Sequence, residues 1–304
     1  MSFTAKDVQA LREKTGCGMM DCKKALTESQ GNMEKAIDVL REKGLAAASK
    51  KADRIAAEGI VYGLVDDESK VGVLLEVNSE TDFVAKNNEF IKFVDSCAKI
   101  IINKNPGSVE ELLTMAPEGS SESVADMLRE KILTIGENIK IRRFVRCEGN
   151  VCTYIHGAGR IGVIVNFKVG NDISSNPAFK DVAKDVAMQI AAANPLFLDK
   201  QSVPNNTIEK EKEILTAQAI NEGKPANIAE KMVMGRINKY YKEVCLLEQP
   251  FIKNGDVTVL KYLDDKAKEL GGKIEVECFS RFEKGEGLEK REDNFADEVA
   301  NMVK

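Results

Sequence analysis

Tryptophan is absent from this 304-residue chain, and aromatic residues make up only 6% of it. Stacking on a run of exposed bases therefore has few platforms to use. Basic residues are in deficit too: 44 lysines and arginines face 49 aspartates and glutamates, a net charge of −5. That balance lacks the footprint of a nucleic-acid binder, so no direct nucleic-acid contact is expected. No apolar run approaches the roughly 20 residues that span a bilayer, and no membrane contact is expected. Met1–Asp7 holds neither an apolar signal core nor an arginine-rich presequence, so a cytoplasmic protein is expected.

His156 is the only histidine. Two-histidine metal sites and the H-E-x-x-H pattern are excluded by count. No serine or cysteine nucleophile is placed beside it by sequence, so it reads as a surface residue next to a glycine turn. The pattern G-x-x-x-x-G-K-[ST] is missing, which excludes a P-loop nucleotidase. The seven cysteines are odd in number and scattered, as free thiols in a reducing compartment are. Cys17/Cys22 and Cys147/Cys152 share one spacing, but the first pair falls at a helix edge and the second along a strand, which disfavours a four-thiolate zinc site. Gly157-Ala158-Gly159-Arg160-Ile161-Gly162 matches G-x-G-x-x-G, yet an alternating strand follows where a dinucleotide site needs a helix. It reads as a hairpin turn. Catalytic residues, cofactor and metal are all expected to be absent.

What is present is a duplication. Lys70-Val71-Gly72-Val73-Leu74-Leu75 returns as Arg160-Ile161-Gly162-Val163-Ile164-Val165, and Glu58-Gly59 returns as Glu148-Gly149, both at an offset of 90. Val71, Val73, Leu75 and Val77 alternate with Gly72, Leu74 and Glu76, which predicts a half-buried strand. Ile60–Val65 and Val151–Ile155 complete two hairpins. A helix follows each: Phe90, Phe93, Val94, Cys97, Ala98 and Ile101 share the spacing of Phe179, Val182, Ala183, Val186, Ala187 and Ile190, one amphipathic face apiece. Pro106 and Pro195 stop them. A third strand pair, Ile139–Glu148 and Ile274–Glu283, stands at an offset of 135, so the second half carries an insertion of 46 residues. Within it Ile208, Ile214 and Leu215 face Ile228, Met232, Val233, Met234 and Ile237 across Gly223-Lys224-Pro225, which predicts a projecting antiparallel helical hairpin at about 206–241. The fold class is α+β, with two small antiparallel-sheet-plus-helix subdomains.

Residues up to about 48 differ in texture. Three short helices are predicted, at Asp7–Lys14, Met20–Ser29 and Met33–Lys43, the last capped by Gly44. Such a small bundle is a partner-binding module. An alanine- and lysine-rich linker, Leu45–Ala57, joins it to the core.

Only the first copy carries an acidic-aromatic tip, Thr81-Asp82-Phe83-Val84. Asp172 and Ile173 stand opposite Asp82 and Phe83 by the 90-residue offset. The local reading is a helix start, with Thr81 or Asp82 as the cap and Phe83 stapled into the core. The second copy keeps its helix without the aromatic, so the scaffold does not need a phenylalanine there.

These residues resemble the bacterial translation elongation factor Ts family. The markers are Leu11-Arg12-Glu13-Lys14-Thr15-Gly16, Gly18-Met19-Met20-Asp21-Cys22-Lys23-Lys24-Ala25-Leu26, Thr81-Asp82-Phe83-Val84-Ala85-Lys86-Asn87, His156-Gly157 and Gly285-Glu286-Gly287. The resemblance implies a ubiquitin-associated-like module and linker (1–54), two core subdomains (55–148 and 149–285, the second with the hairpin) and a C-terminal helical module (286–304). It implies guanine-nucleotide exchange on elongation factor Tu, with Mg²⁺ displaced and GDP released, and no enzyme activity. Thr81, Asp82, Phe83 and Val84 would dislodge the metal; Leu11, Met19, Met20 and His156 would add partner contacts. A homodimer is left open. Two rival readings remain: an adaptor that uses the three-helix module to hold a helical or ubiquitin-like partner, and an enzyme using the Cys147 or Cys152 thiol.

Overall fold

The computed structural model describes residues 3–223 and 225–289. The C-terminal helical module expected near the end lies outside the described residues. At the other end, Thr4 opens α1 (Ala5–Thr15) with a capping box: its amide and hydroxyl both donate to the Asp7 carboxylate, at 2.7 and 2.8 Å. Gly16 ends the helix in the left-handed region at φ 67°. α2 (Met19–Glu28) and α3 (Met33–Lys51) complete the module around Val8, Leu11, Cys22, Leu26 and Leu40. The expected cap at Gly44 is not there. The alanines and lysines that follow it are good helix formers, and α3 runs through them to Lys51. Gly44 is instead buried mid-helix, where an added Cβ would make only ordinary van der Waals contact with Arg129.

The first half then runs β1 (Glu58–Asp66), β2 (Val71–Ser79), α4 (Asp82–Ala85), α5 (Asn88–Lys104), α6 (Val109–Thr114), α7 (Val124–Ile135) and β3 (Lys140–Glu148). The second runs β4 (Asn150–His156), β5 (Ile161–Val169), α8 (Asn171–Ser174), α9 (Pro177–Ala193), α10 (Asn205–Asn221), α11 (Ala226–Val244), β6 (Pro250–Phe251), β7 (Asn254–Thr258), α12 (Val259–Glu269) and β8 (Ile274–Glu283). The sheets are antiparallel, in the orders β1-β2-β3 and β4-β5-β8. The duplication reaches into detail. Both central strands break register at one place, Glu76/Val77 and Asn166/Phe167. Arg146 of β3 donates to the Ile102 carbonyl and Arg281 of β8 to the Ala191 carbonyl, each from the strand to the end of its own half's long helix. Ser123 caps α7 as Thr258 caps α12. The insertion is therefore the α10–α11 hairpin plus the β6–β7 ribbon, which carries no strong sequence signal. Leu215, Val233 and Ile237 seal the hairpin, while Ile214 and Met234 face solvent rather than the seam.

β2 departs from its half-buried expectation, because every one of its residues is buried. Val71, Val73, Leu75 and Val77 pack on Phe90, Phe93 and Val94 of α5, as alternation requires. The opposite face meets the other sheet: Leu74 and Val61 join Ile164 and Phe282 in a second apolar layer. The architecture is helix, sheet, sheet, helix. Two glycines make the contact. A Cβ at Gly72 would collide with Val151, and one at Gly162 with Val61 and Leu74. Glu76 sits in the same layer with no exposure at all. It accepts from Arg142 Nη1 at 2.9 Å, Arg143 Nε at 2.7 Å and the Gly285 amide at 2.8 Å. Burial pushes the Glu76 carboxyl up, but the Gly285 amide and the two guanidinium groups outweigh it and leave it below the ordinary range.

Two outcomes follow for stability. Gly162→Val should push the sheets apart and lower unfolding free energy by about 1–3 kcal/mol in urea titration; an unchanged midpoint would mean the sheets are not in tight contact. Because the folded-state pKa of Glu76 is depressed, its contribution is complete above the unfolded carboxylate pKa and vanishes as pH falls through the folded value. Thermal melts should show the wild type losing stability below the usual carboxylate range. Glu76→Gln should be weaker near neutrality by about 1.5–3 kcal/mol and lose less on acidification.

Candidate functional site

β2 ends at Ser79, and the chain turns straight into the single-turn helix α4 with Thr81 as its N-cap residue. Thr81 does not cap with its own hydroxyl. Its hydroxyl donates to Glu137 Oε1 at 2.6 Å and its amide to Glu137 Oε2 at 3.0 Å, a two-pronged hold by one carboxylate. Ser79 Oγ donates to the Thr81 carbonyl at 2.9 Å. Gly136, left-handed at φ 87°, ends α7 and aims this Glu137-Asn138 loop at the tip. The Asn138 amide donates to Glu80 Oε1 at 2.6 Å, and its side chain donates to the Arg54 carbonyl at 2.8 Å. One short loop thus fixes both the tip and the end of the linker from the N-terminal module.

Within α4 successive side chains point about 100° apart. Val84 turns inward and is buried with the first half's core. Phe83 turns outward and is 78% exposed. The staple reading of Phe83 is thereby overturned: Val84 occupies the core position, and the ring packs on none of the core. Lys86 pairs with Asp82 at 2.9 Å and sits 5.9 Å from the centre of the Phe83 ring. The Lys86 hydrogen bond holds the Asp82 carboxyl below its ordinary range. Asn87 then caps α5, accepting from the amides of Glu89 and Phe90.

The second copy has the same turn in α8, begun by Gly170. The helix boundaries correct the sequence alignment by one residue. Ile173 corresponds to Val84 and is buried likewise, so Asp172 holds the place of Phe83. The residue lost from the second copy lies before the turn. The inward apolar residue is common to both halves, and the outward ring belongs to the first alone.

The remaining candidates are dispersed. Leu11 is fully buried in the module's core, which corrects its assignment as a partner contact: the position was drawn from a motif that mixes core and surface residues. Met19 and Met20 open α2 and are 44% and 61% exposed. His156 is exposed at the end of β4, its Nδ1 3.0 Å from the Tyr154 hydroxyl, in the other sheet from the tip. Glu137 and Asn138, which brace the tip, were missed by sequence reasoning; a polar pair behind a helix-ending glycine was their only trace. Among the described residues no cluster of three or more His, Cys, Asp and Glu side chains could hold a metal, and no helix is long and apolar enough to cross a membrane.

The family described as Elongation factor TS matches residues 80–286, from the tip to the end of the second sheet. Elongation factor Ts of Clostridium botulinum (strain Eklund 17B / Type B) is 56% identical over 304 residues, 99% of each chain. Elongation factor Ts of Clostridium perfringens (strain ATCC 13124) is 56% identical over 303 residues, again 99% of each. The chain belongs to the elongation factor Ts family.

Proposed function

We infer that the chain is the guanine-nucleotide exchange factor of elongation factor Tu in translation elongation, as family membership indicates. It works by binding, with no reaction of its own, in the cytoplasm. The observation that carries the finer reading is the Phe83 ring, 78% exposed on a turn that Glu137 and Val84 hold from behind.

The mechanism is a wedge. An exposed aromatic ring gains by leaving water, and burying one is worth about 1.5–3 kcal/mol. Phe83 takes that gain by inserting between elements of the GTPase domain that support Mg²⁺. Magnesium demands near-octahedral ligands, so a small displacement of its supporting segment weakens it and the diphosphate it bridges. Spent on that displacement, the ring's burial loosens GDP roughly ten- to a hundredfold. Asp82 and Lys86 orient the turn, and Thr81 anchors it. Met19 and Met20 dock the N-terminal module on the partner, and His156 adds a contact from the second half. The coupling is reciprocal: GDP and the factor each lower the other's affinity. The adaptor reading predicts binding through Met19 and Met20 with no effect on nucleotide.

Stopped-flow release of fluorescent GDP from elongation factor Tu separates these readings. Phe83→Ala should lower the stimulated rate about ten- to a hundredfold while the melting temperature holds, the ring being exposed and outside the core. A normal rate from this variant would end the wedge proposal. Glu137→Ala should leave the ring in place on a loosened turn. Its expected signature is faster amide exchange at residues 81–86 together with a smaller rate loss, and unaltered exchange there would show that the carboxylate hold is dispensable.

A further inference from the structure

The contact between the sheets brings their third strands face to face. Arg143 of β3 lies over the Phe282 ring of β8, its guanidinium 4.2 Å from the ring centre. Its Nη2 also donates to the Glu283 carbonyl at 3.4 Å. Val145 and Cys147 belong to the same inter-sheet apolar layer as Phe282. Side chains alternate along a strand, so the face of β8 that carries Phe282 also carries Ser280 and Cys278. Four residues beyond Arg143 in β3 is Cys147; four before Phe282 in β8 is Cys278.

A second tie fixes the same end of the two strands. Asn166 Nδ2 donates to the Glu148 carbonyl at 3.1 Å and to Glu277 Oε2 at 2.7 Å. One amide therefore bridges the neighbour of Cys147 to the neighbour of Cys278, and Asn166 is itself the ladder partner of Cys278. With Arg143 over Phe282 at one end and this bridge at the other, the strands pass antiparallel and set the two thiols opposite each other. They differ in access: Cys278 is exposed and Cys147 half-buried. Burial first, and the facing Cys278 thiol second, push Cys147 up to about 11.

We propose that Cys147 and Cys278 form a peroxide-responsive thiol pair that closes to a disulfide between the two halves of the core. The exposed Cys278 thiolate attacks the O–O bond of a hydroperoxide. It becomes a sulfenic acid, and the other oxygen leaves as water or alcohol. The Cys147 sulfur, giving up its proton, attacks the sulfenic sulfur and expels the sulfenic oxygen as water. Two thiols are oxidised by two electrons and one peroxide is reduced. The bond would join strands 131 residues apart in the chain, a long loop whose closure restricts the unfolded state strongly.

The test treats the full chain with hydrogen peroxide, then alkylates it unfolded and maps the peptides without reductant. The expected result is a peptide pair linked through Cys147 and Cys278, the two thiols disappearing together. Dithiothreitol should restore both, and the melting temperature should rise by several degrees in the oxidised form only. Cys278→Ser, a change at an exposed position, should leave Cys147 alkylatable after the same treatment and abolish the rise. The proposal is overturned if Cys278 goes to sulfinic acid while Cys147 stays a free thiol, or if Cys278 links to a second chain.

Discussion

Two sheets touch where β2 and β5 each offer a glycine in place of a side chain, and the rest of the molecule is arranged around that contact. Gly72 receives Val151, and Gly162 receives Val61 and Leu74. Close approach on that face leaves β2 with no solvent side, so each polar group along it needs an internal partner. Glu76 finds two guanidinium groups and the Gly285 amide. Asn78 donates through Nδ2 to the Glu58 carbonyl and to Glu76 Oε1, while its buried Oδ1 is left without a partner among the described residues. Gly285 is itself held at φ 67° where a side chain would strike the Ala57 carbonyl, and Lys284 pairs with Glu58. The end of the second sheet is thus locked to the beginning of the first. The linker arrives at the same corner, through Asn138 and the Arg54 carbonyl. Linker and tip are both held by the Glu137-Asn138 loop.

What the sequence disclosed and what it hid separate along a physical line. Period-two and period-3.6 patterns report burial on one side of an element, and they placed both sheets, both long helices and the hairpin. Phe90 through Ile101 and Phe179 through Ile190 lie inward as their spacing requires. Contacts made by missing side chains leave no such pattern. Gly72 read as a position on an outer face and Gly162 as part of a hairpin turn, although they are where the sheets meet. Gly44 read as a helix end because a glycine signals a stop in sequence, yet the helix formers on either side carry α3 straight through it. At the tip the local sequence was ambiguous by one residue. Phe83 and Val84 are both apolar, and either could have been the one turned inward.

The single turn of α4 settles that ambiguity in a way that bears on how the site arose. Val84 anchors the turn, and so does Ile173 in the second copy. The anchor is therefore part of the scaffold's stability, present in both halves. Phe83 is one position earlier and points away, so its identity is free of the packing that holds the turn. Glu137 completes the separation by gripping Thr81 through backbone and hydroxyl and leaving the ring untouched. An exposed benzyl group stays in water at a cost, and it is kept there only if it cannot collapse onto its own core. A turn anchored by its neighbour prevents the collapse. The exposure is then set by backbone geometry rather than by any property of the ring, and it stays available as free energy for association.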